Sequence, residues 1–205
     1  MGRLVFCFII AVSFLTNVFV CGKDAKGVYV EKESYCRTIT KQQAIDRLML
    51  AENITFTKAE TIIENTRNGY KTNQERFDIY YMEFIMYHNF GANIIVETGC
   101  ILIVSRDKSG HEIIRSILCE WAMADDTASY IWRGAYCISE LQGTNKVYLR
   151  ARGVIEVAVD KSLPESMNFR NELESVGFAL SSFVGTKYYY YKIESWDTNY
   201  YHPFI

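Results

Sequence analysis

"WRGAYCISELQGTNKVYLRARG", residues 132–153, predicts two β-strands joined by a turn at Gly143-Thr144-Asn145. On each side of the turn the residues alternate between two sets, which is the two-residue period of a strand whose faces meet different surroundings. One predicted face carries Ala135, Cys137, Ser139, Val147, Leu149 and Ala151. The other carries Tyr136, Ile138, Glu140, Tyr148, Arg150 and Arg152. The stretch therefore predicts a hairpin of a β-rich domain.

Short runs of β-branched and aromatic residues lie on both sides of this hairpin. They stand at residues 77–90, 93–106, 111–121, 132–160, 173–184 and 187–196. Gly, Asn, Asp and Ser separate them without intervening helices, a layout typical of an antiparallel sandwich or barrel with seven or more strands. The run at 77–90 fits either a strand or a helix. The run at 93–106 predicts two strands about Glu97-Thr98-Gly99.

Residues 40–68 predict a short helical hairpin ahead of these strands. Thr40 is followed three positions later by Gln43, and Thr57 by Glu60. Each pair has the spacing of a capping box, in which the Thr side chain and the Gln or Glu side chain bond each other's backbone N–H at the start of a helix. The pattern therefore predicts two helices with a surface turn between them.

The N-terminus has the pattern of a secretory signal peptide. Arg3 precedes an apolar run over residues 4–21, and charged residues follow from Lys23. We expect cleavage after Gly22. The alternative is an uncleaved signal anchor, against which the polar Thr16-Asn17 pair argues. The predicted layout is a signal peptide at 1–22, an N-terminal segment with the helical hairpin at 23–76, and a β-sandwich domain at 77–205.

In a secreted chain, the cysteines predict disulfides and one sequon predicts a glycan. The mature chain would contain Cys36, Cys100, Cys119 and Cys137, an even number that predicts two disulfides, with three pairings left open. Buried free thiols are the alternative, because three of the four lie in apolar runs. Their spacing does not fit a zinc site. Asn53-Ile54-Thr55 predicts a glycan at Asn53, in the turn between the two helices.

The composition argues against several classes of function. The net charge is −2, from 22 basic and 24 acidic residues, and no basic run would follow a nucleic-acid backbone. The chain lacks the nucleophile, phosphate-binding and metal-binding motifs, so we predict neither an enzyme nor a cofactor or metal. Convergence of His88 and His111 with an acidic residue in one pocket would revive an enzymatic function.

Residues 94–183 resemble the tumour necrosis factor-like family, which includes the globular heads of a complement subcomponent. The resemblance rests on apolar and glycine patterns in "ETGCILIVS" (97–105), "GAYCISEL" (134–141), "GTNKVYLRA" (143–151) and "ESVGFAL" (174–180). It implies a jelly roll of two antiparallel sheets, assembled as a homotrimer. On that analogy Tyr136, Tyr148 and Phe178 lie near a subunit interface, with packing inside the subunit as the favoured alternative for Phe178.

We consider two binding functions. The first is that of a secreted cytokine-like ligand acting on a cell-surface receptor or another extracellular protein. The alternative is a monomeric secreted β-sandwich, of the immunomodulator or venom type, which captures a protein or a small hydrophobic ligand. The helical hairpin and the tyrosine-rich tail at 188–205 favour that alternative. In the tail, consecutive Tyr188 to Tyr191 would point alternately to opposite faces of a strand.

Overall fold

The computed structural model describes residues 34–70, 77–124 and 129–202. The predicted signal peptide lies outside these residues. The described chain is mainly β, with two antiparallel sheets of four strands each. Sheet A contains β1 (Tyr35–Ile39), β2 (Asp78–Asn89), β3 (Ile95–Arg106) and β4 (Glu112–Ala124). Sheet B contains β5 (Tyr130–Gln142), β6 (Lys146–Asp160), β7 (Ala179–Val184) and β8 (Lys187–Tyr201). The helices are α1 (Lys41–Glu52), α2 (Phe56–Gly69) and α3 (Ser166–Ser175).

The strand order is simple in both sheets. Sheet A runs β1-β2-β3-β4, so each strand pairs with the next one along the chain. Sheet B runs β5-β6-β8-β7. One buried cluster combines residues of both sheets, Phe84, Leu102 and Val104 from sheet A with Val147 and Leu149 from sheet B. The two sheets therefore share an apolar core, as the layers of a sandwich do.

The hairpin predicted at 132–153 is confirmed as β5 and β6, with its turn at 143–145. The predicted alternation holds except at Ala135. A bulge between Gly134 and Tyr136 takes Ala135 out of the ladder, and this residue is exposed rather than on the core face. The bulge resets the phase of β5, so Cys137 pairs with Ala151 on the side that faces sheet A.

The predicted helical hairpin is confirmed as α1 and α2. Thr40 caps α1 as predicted: its Oγ1 accepts from the Gln43 N–H at 3.2 Å, and Gln43 Oε1 accepts from the Thr40 N–H at 2.9 Å. The second predicted capping box is wrong. Helix α2 begins at Phe56, because Thr55 has the extended backbone of an N-cap residue, so Thr57 lies inside the helix.

Two predicted strand breaks differ from the structure. Residues 95–106 form one strand, and Gly99 lies inside it, where a Cβ would collide with the ring of Trp121 and the Phe84 carbonyl. The glycine therefore marks a close approach rather than a turn. Residues 173–184 begin in α3, not in a strand. Gly177, with φ +91°, ends α3, and the Phe178 N–H bonds the Leu173 carbonyl at 2.9 Å, as in a Schellman motif.

The segment before residue 77 shares a buried core with the strands that follow it. Strand β1 pairs with β2, and the two helices pack on sheet A in one buried cluster with Ile101 and Trp121. Strands β1 to β8 thus belong to one compact unit. The N-terminal strand and the helical hairpin are part of the same core as the later strands, which sequence-local patterns do not show.

Gly153 of β6 provides a direct test of the packing inside sheet B. A Cβ there would lie 2.5 Å from the Trp132 ring and 2.6 Å from the Arg133 carbonyl oxygen. We expect Gly153→Ala to lower the free energy of unfolding by about 1–3 kcal/mol, since overpacking forces side chains and backbone to shift. Urea unfolding followed by tryptophan fluorescence measures it. Gly69→Ala, at the end of α2 with no atom within 4 Å, is the control and should not destabilise.

Candidate functional site

The candidate site is the face of sheet B that points away from sheet A, called the outer face below. Paired residues on neighbouring antiparallel strands share a face, so the strand register shows on which face of sheet B a paired side chain lies. Strands β5 and β6 contribute Ile131, Arg133, Tyr136, Ile138, Glu140, Tyr148, Arg150, Arg152, Val154 and Glu156. Strands β8 and β7 contribute Tyr189, Tyr191, Ile193, Ser195, Asp197, Asn199, Tyr201, Ala179, Ser182 and Val184.

Large apolar side chains on the outer face are open to solvent. Ile138 is 50% exposed, Ile193 59% and Tyr201 62%. Within the described part of the chain, α1 and α2 pack on sheet A and α3 packs on the inner side of sheet B, so no helix covers these residues. Clustered exposed apolar residues of this kind, interspersed with charged ones, mark interaction surfaces.

A hydrogen-bonded cluster fixes polar groups in the middle of the outer face. The Tyr148 hydroxyl accepts from Arg150 Nη2 at 2.5 Å and donates to Asp197 Oδ2 at 2.9 Å. The hydrogen bond to Tyr148 raises the pKa of Arg150 above its ordinary value. Nearby, Arg133 Nε bonds Glu156 Oε2 at 2.7 Å. Arg150 and Arg133 are therefore each positioned by a neighbouring side chain on the same face.

Tyr136 stands where the outer face meets two hollows. A shallow one of about 220 Å³ lies over β6 and β8, lined also by Arg150 and Asp197. A cleft of about 430 Å³ opens on the other side of Tyr136, between β4, β5 and the end of α1. Glu120 in that cleft accepts a hydrogen bond from Ser139 Oγ at 2.9 Å.

Burial raises the pKa of the Glu120 carboxyl, and the charge of Glu52 adds to this effect, whereas the Ser139 hydrogen bond opposes it. The cleft therefore holds a carboxyl group that takes up a proton more readily than an exposed glutamate does.

The structure separates the three residues predicted at a subunit interface. Tyr136 and Tyr148 lie on the outer face, as a contact surface requires. Phe178 is only 4% exposed and packs with Leu173 and Tyr190 in the buried cluster under α3. The structure thus shows the alternative favoured for Phe178, packing inside the subunit, because the turn after α3 directs its ring into the core.

The two predicted disulfides are not present, and all four cysteines are free thiols. Cys119 belongs to the cluster under the helices, whereas Cys36, Cys100 and Cys137 belong to the cluster between the sheets. Every pairing of the four would have to join Cys119 to a residue on the opposite side of sheet A. Burial raises the pKa of Cys36 to about 11, and those of Cys119 and Cys137 to about 12, so the thiols stay protonated.

Asn53 stands in the turn between α1 and α2, as expected for its sequon. It is exposed and has the left-handed backbone, with φ 49°, of a residue that ends a helix. The predicted glycan itself stays a prediction.

His88 and His111 do not converge in one pocket, which is the condition set for an enzymatic function. His88 pairs with Val96 near one end of sheet A, and His111 directly precedes Glu112, which pairs with Arg106 at the other end. Ten residues of β3 separate the two rows, about 33 Å at the rise of a strand. These two histidines therefore cannot share one pocket.

A buried polar chain that the sequence did not indicate joins the end of β8 to β4. The Tyr200 hydroxyl and His202 Nδ1 are 3.2 Å apart, and His202 Nε2 and Glu112 Oε2 are 2.9 Å apart. Burial would raise the pKa of Glu112, but hydrogen bonds from Tyr80, Arg106 and His202 outweigh it and lower the pKa. Neither described hollow reaches these groups, so their geometry fits a structural clamp between the sheets.

His88 lies in an aromatic cluster between the sheets. Its ring is 4.6 Å from that of Trp196, which also contacts Phe90 and Trp132, each at 5.2 Å between centroids. His88 Nε2 is 2.9 Å from Thr98 Oγ1. Sequence reasoning missed this cluster because its members come from β2, β5 and β8 and share no motif.

Comparison with known proteins gives no relative. No family model matches the chain, and no curated protein or solved structure resembles it. Of the helices in the described residues, none has both the length and the apolar character needed to cross a membrane. The same residues contain no group of three or more His, Cys, Asp or Glu arranged to hold a metal ion.

His88 makes stability depend on pH in a defined direction. Burial lowers its pKa from 6.5 to about 4, so between these values the unfolded chain binds a proton that the folded chain does not. We expect the His88 contribution to the free energy of unfolding to fall by up to about 1.4 kcal/mol per pH unit as pH drops from about 6.5 towards 4.

Urea unfolding at several pH values measures this slope. His88→Gln should reduce the slope, because it removes the group whose protonation is opposed by burial. An equal slope in the wild type and in His88→Gln would contradict the assignment.

Proposed function

We propose that this protein is an extracellular binding protein that presents the outer face of sheet B to a protein partner, such as a cell-surface receptor. One observation supports this most: sheet A is covered on both faces, whereas sheet B leaves isoleucines and tyrosines open on its outer face. Burying this apolar surface against a partner would supply the main favourable free energy of association.

The chemistry of the outer face suits a protein partner. Tyrosine and arginine are enriched among residues that dominate protein–protein binding energies. Here Tyr148 and Arg150 are already held by hydrogen bonds, so little side-chain entropy is lost when a partner docks. The face is a broad surface on a β-sheet, with only a shallow hollow beside Tyr136.

Capture of a small hydrophobic ligand inside the fold has less support. The space between the sheets is filled by side chains such as Leu102, Val147 and Leu149, each at most 1% exposed. A ligand cavity in a β-sandwich or barrel would need that space to be open. The protein-binding form of the proposal is therefore the one we favour.

The finer assignment, a jelly roll of the tumour necrosis factor-like family, has no support from the strand order. A jelly roll consists of two Greek keys, in which a fourth strand returns beside the first. Sheet A is instead a meander, and sheet B has the order β5-β6-β8-β7. We therefore propose receptor binding without the trimeric cytokine assembly that the family would imply.

Secretion and glycosylation belong to the same proposal. The apolar run after Arg3, ending near Gly22, supports export. The exposed turn at Asn53 leaves its side chain accessible to a glycosyltransferase.

Removing the apolar surface should abolish partner binding. The double change Ile138→Asp and Ile193→Asp puts two charges at exposed positions of the outer face, where they would be desolvated in the complex. We expect the wild type to bind a member of an array of purified extracellular domains, and the variant to lose at least tenfold in affinity by surface plasmon resonance.

The control places the same charges on exposed apolar residues elsewhere, Leu50→Asp in α1 and Leu163→Asp before α3. It should bind as the wild type does. A double variant of the outer face that keeps full affinity, or an array with no specific binder, would overturn the proposed function.

Glycosylation of Asn53 reports whether the chain is exported. Full-chain protein expressed in a eukaryotic cell should enter the medium and gain mobility on a gel after treatment with an N-glycosidase, because the sequon is exposed. Asn53→Gln should give the faster mobility without treatment. Protein retained in the cell, or unchanged by the enzyme, would contradict this prediction.

A further inference from the structure

The free edge of sheet B is β7. Within the described residues β7 pairs only with β8, so its other side has no strand, and all six of its residues are exposed. The opposite edge strand, β5, lies beside β4, and the turn that follows β5 accepts a hydrogen bond from the Ile114 N–H at 2.7 Å. The unpaired backbone groups of sheet B are thus concentrated along β7.

Strand β7 lacks the charge and the proline that protect many edge strands. Natural edge strands carry lysines, inward-pointing charges or proline, which prevent pairing with another chain. The sequence of β7 is ALSSFV, with no charge and no proline, and Leu180, Phe183 and Val184 are 47–63% exposed. By comparison, the edge strand of sheet A, β1, carries the exposed Arg37. Strand β7 is therefore open to pairing.

We propose that β7 pairs antiparallel with β7 of a second copy of this chain, which joins two B sheets into one sheet of eight strands. The register follows from a bulge between Leu180 and Ser182. Leu180 and Phe183 share the inner side, and Ala179 and Val184 share the outer side. Pairing about the midpoint of Ser181 and Ser182 sets Leu180 against Phe183 of the partner subunit and Ala179 against Val184 of the partner subunit.

A second copy fits this edge because the strand is complementary to itself. A two-fold axis places the same segment on both sides, so any charge in it would occur twice within this short contact, and β7 has none. Four of the six cross-strand pairs in this register are apolar against apolar on the same face, the arrangement that stabilises antiparallel pairs, and the two central pairs set serine against serine. A one-residue slip would set inner against outer residues, so the bulge also selects the register.

This pairing goes beyond the proposed function and does not depend on it. The contact uses the edge of sheet B, so the outer faces of both copies stay open and lie side by side. Because an edge of six residues forms a small interface, we expect a reversible dimer with a dissociation constant on the order of micromolar to tens of micromolar.

Sedimentation velocity on purified full-chain protein, over a concentration series that spans this range, tests the proposal. We expect the wild type to shift from monomer to dimer with concentration. Ser182→Lys places two lysines beside the two-fold axis and should remain monomeric, with Val184→Lys as a second variant if the first does not fold. Ser182→Ala should dimerise as the wild type does.

A matched control separates the edge from the outer face. Asn199→Lys adds the same charge to the outer face on β8, away from β7, and should leave the dimer intact. Hydrogen exchange should show protection of residues 179–184 that rises with protein concentration in the wild type and in Asn199→Lys, but not in Ser182→Lys. A wild type that stays monomeric, forms a trimer, or forms a dimer that Ser182→Lys retains would overturn the proposal.

Discussion

The buried carboxylate of Glu83 is the contact on which the layering of this protein depends. It lies on the helix-facing side of β2, is 1% exposed, and bonds Arg37 of β1 at 2.7 Å and Arg47 of α1 at 2.6 Å. Removing either arginine would leave this buried carboxylate with one partner fewer, which destabilises a fold because a buried charge must stay paired. Arg47 also stacks on Trp121, whose indole N–H bonds Glu97. One carboxylate thus joins strand, helix and sheet.

This anchoring produces the asymmetry from which the proposed function follows. Because α1 is fixed over sheet A, both faces of that sheet are buried, one under the helices and one against sheet B. The described chain offers no equivalent layer for sheet B, whose outer face keeps apolar residues in water. The outer face of sheet B is thus the uncovered surface on which the proposed function rests.

Sequence periodicity predicted the elements better than it predicted their partners. The alternation at 132–153 and the Thr40 capping box are local signals, and both describe the structure correctly except at the Ala135 bulge. Sequence reasoning missed helix α3: only its last three residues, 173–175, fell in a predicted strand, and no element was predicted over residues 166–172. The contacts of His88 with Trp196 and of Glu112 with His202 join residues about a hundred positions apart, and no spacing rule predicts such pairs.

Strand β8 shows how one stretch can serve both stability and binding. Tyr190 points inward, is 1% exposed, and its hydroxyl contacts Arg170 and Glu174 of α3 at 2.9 and 3.0 Å. Tyr189 and Tyr191 point outward and are more than a third exposed. The two-residue period of the strand therefore assigns consecutive tyrosines to different tasks. The inner set packs the core and the outer set belongs to the proposed binding face, so we expect that each can be altered with little effect on the other.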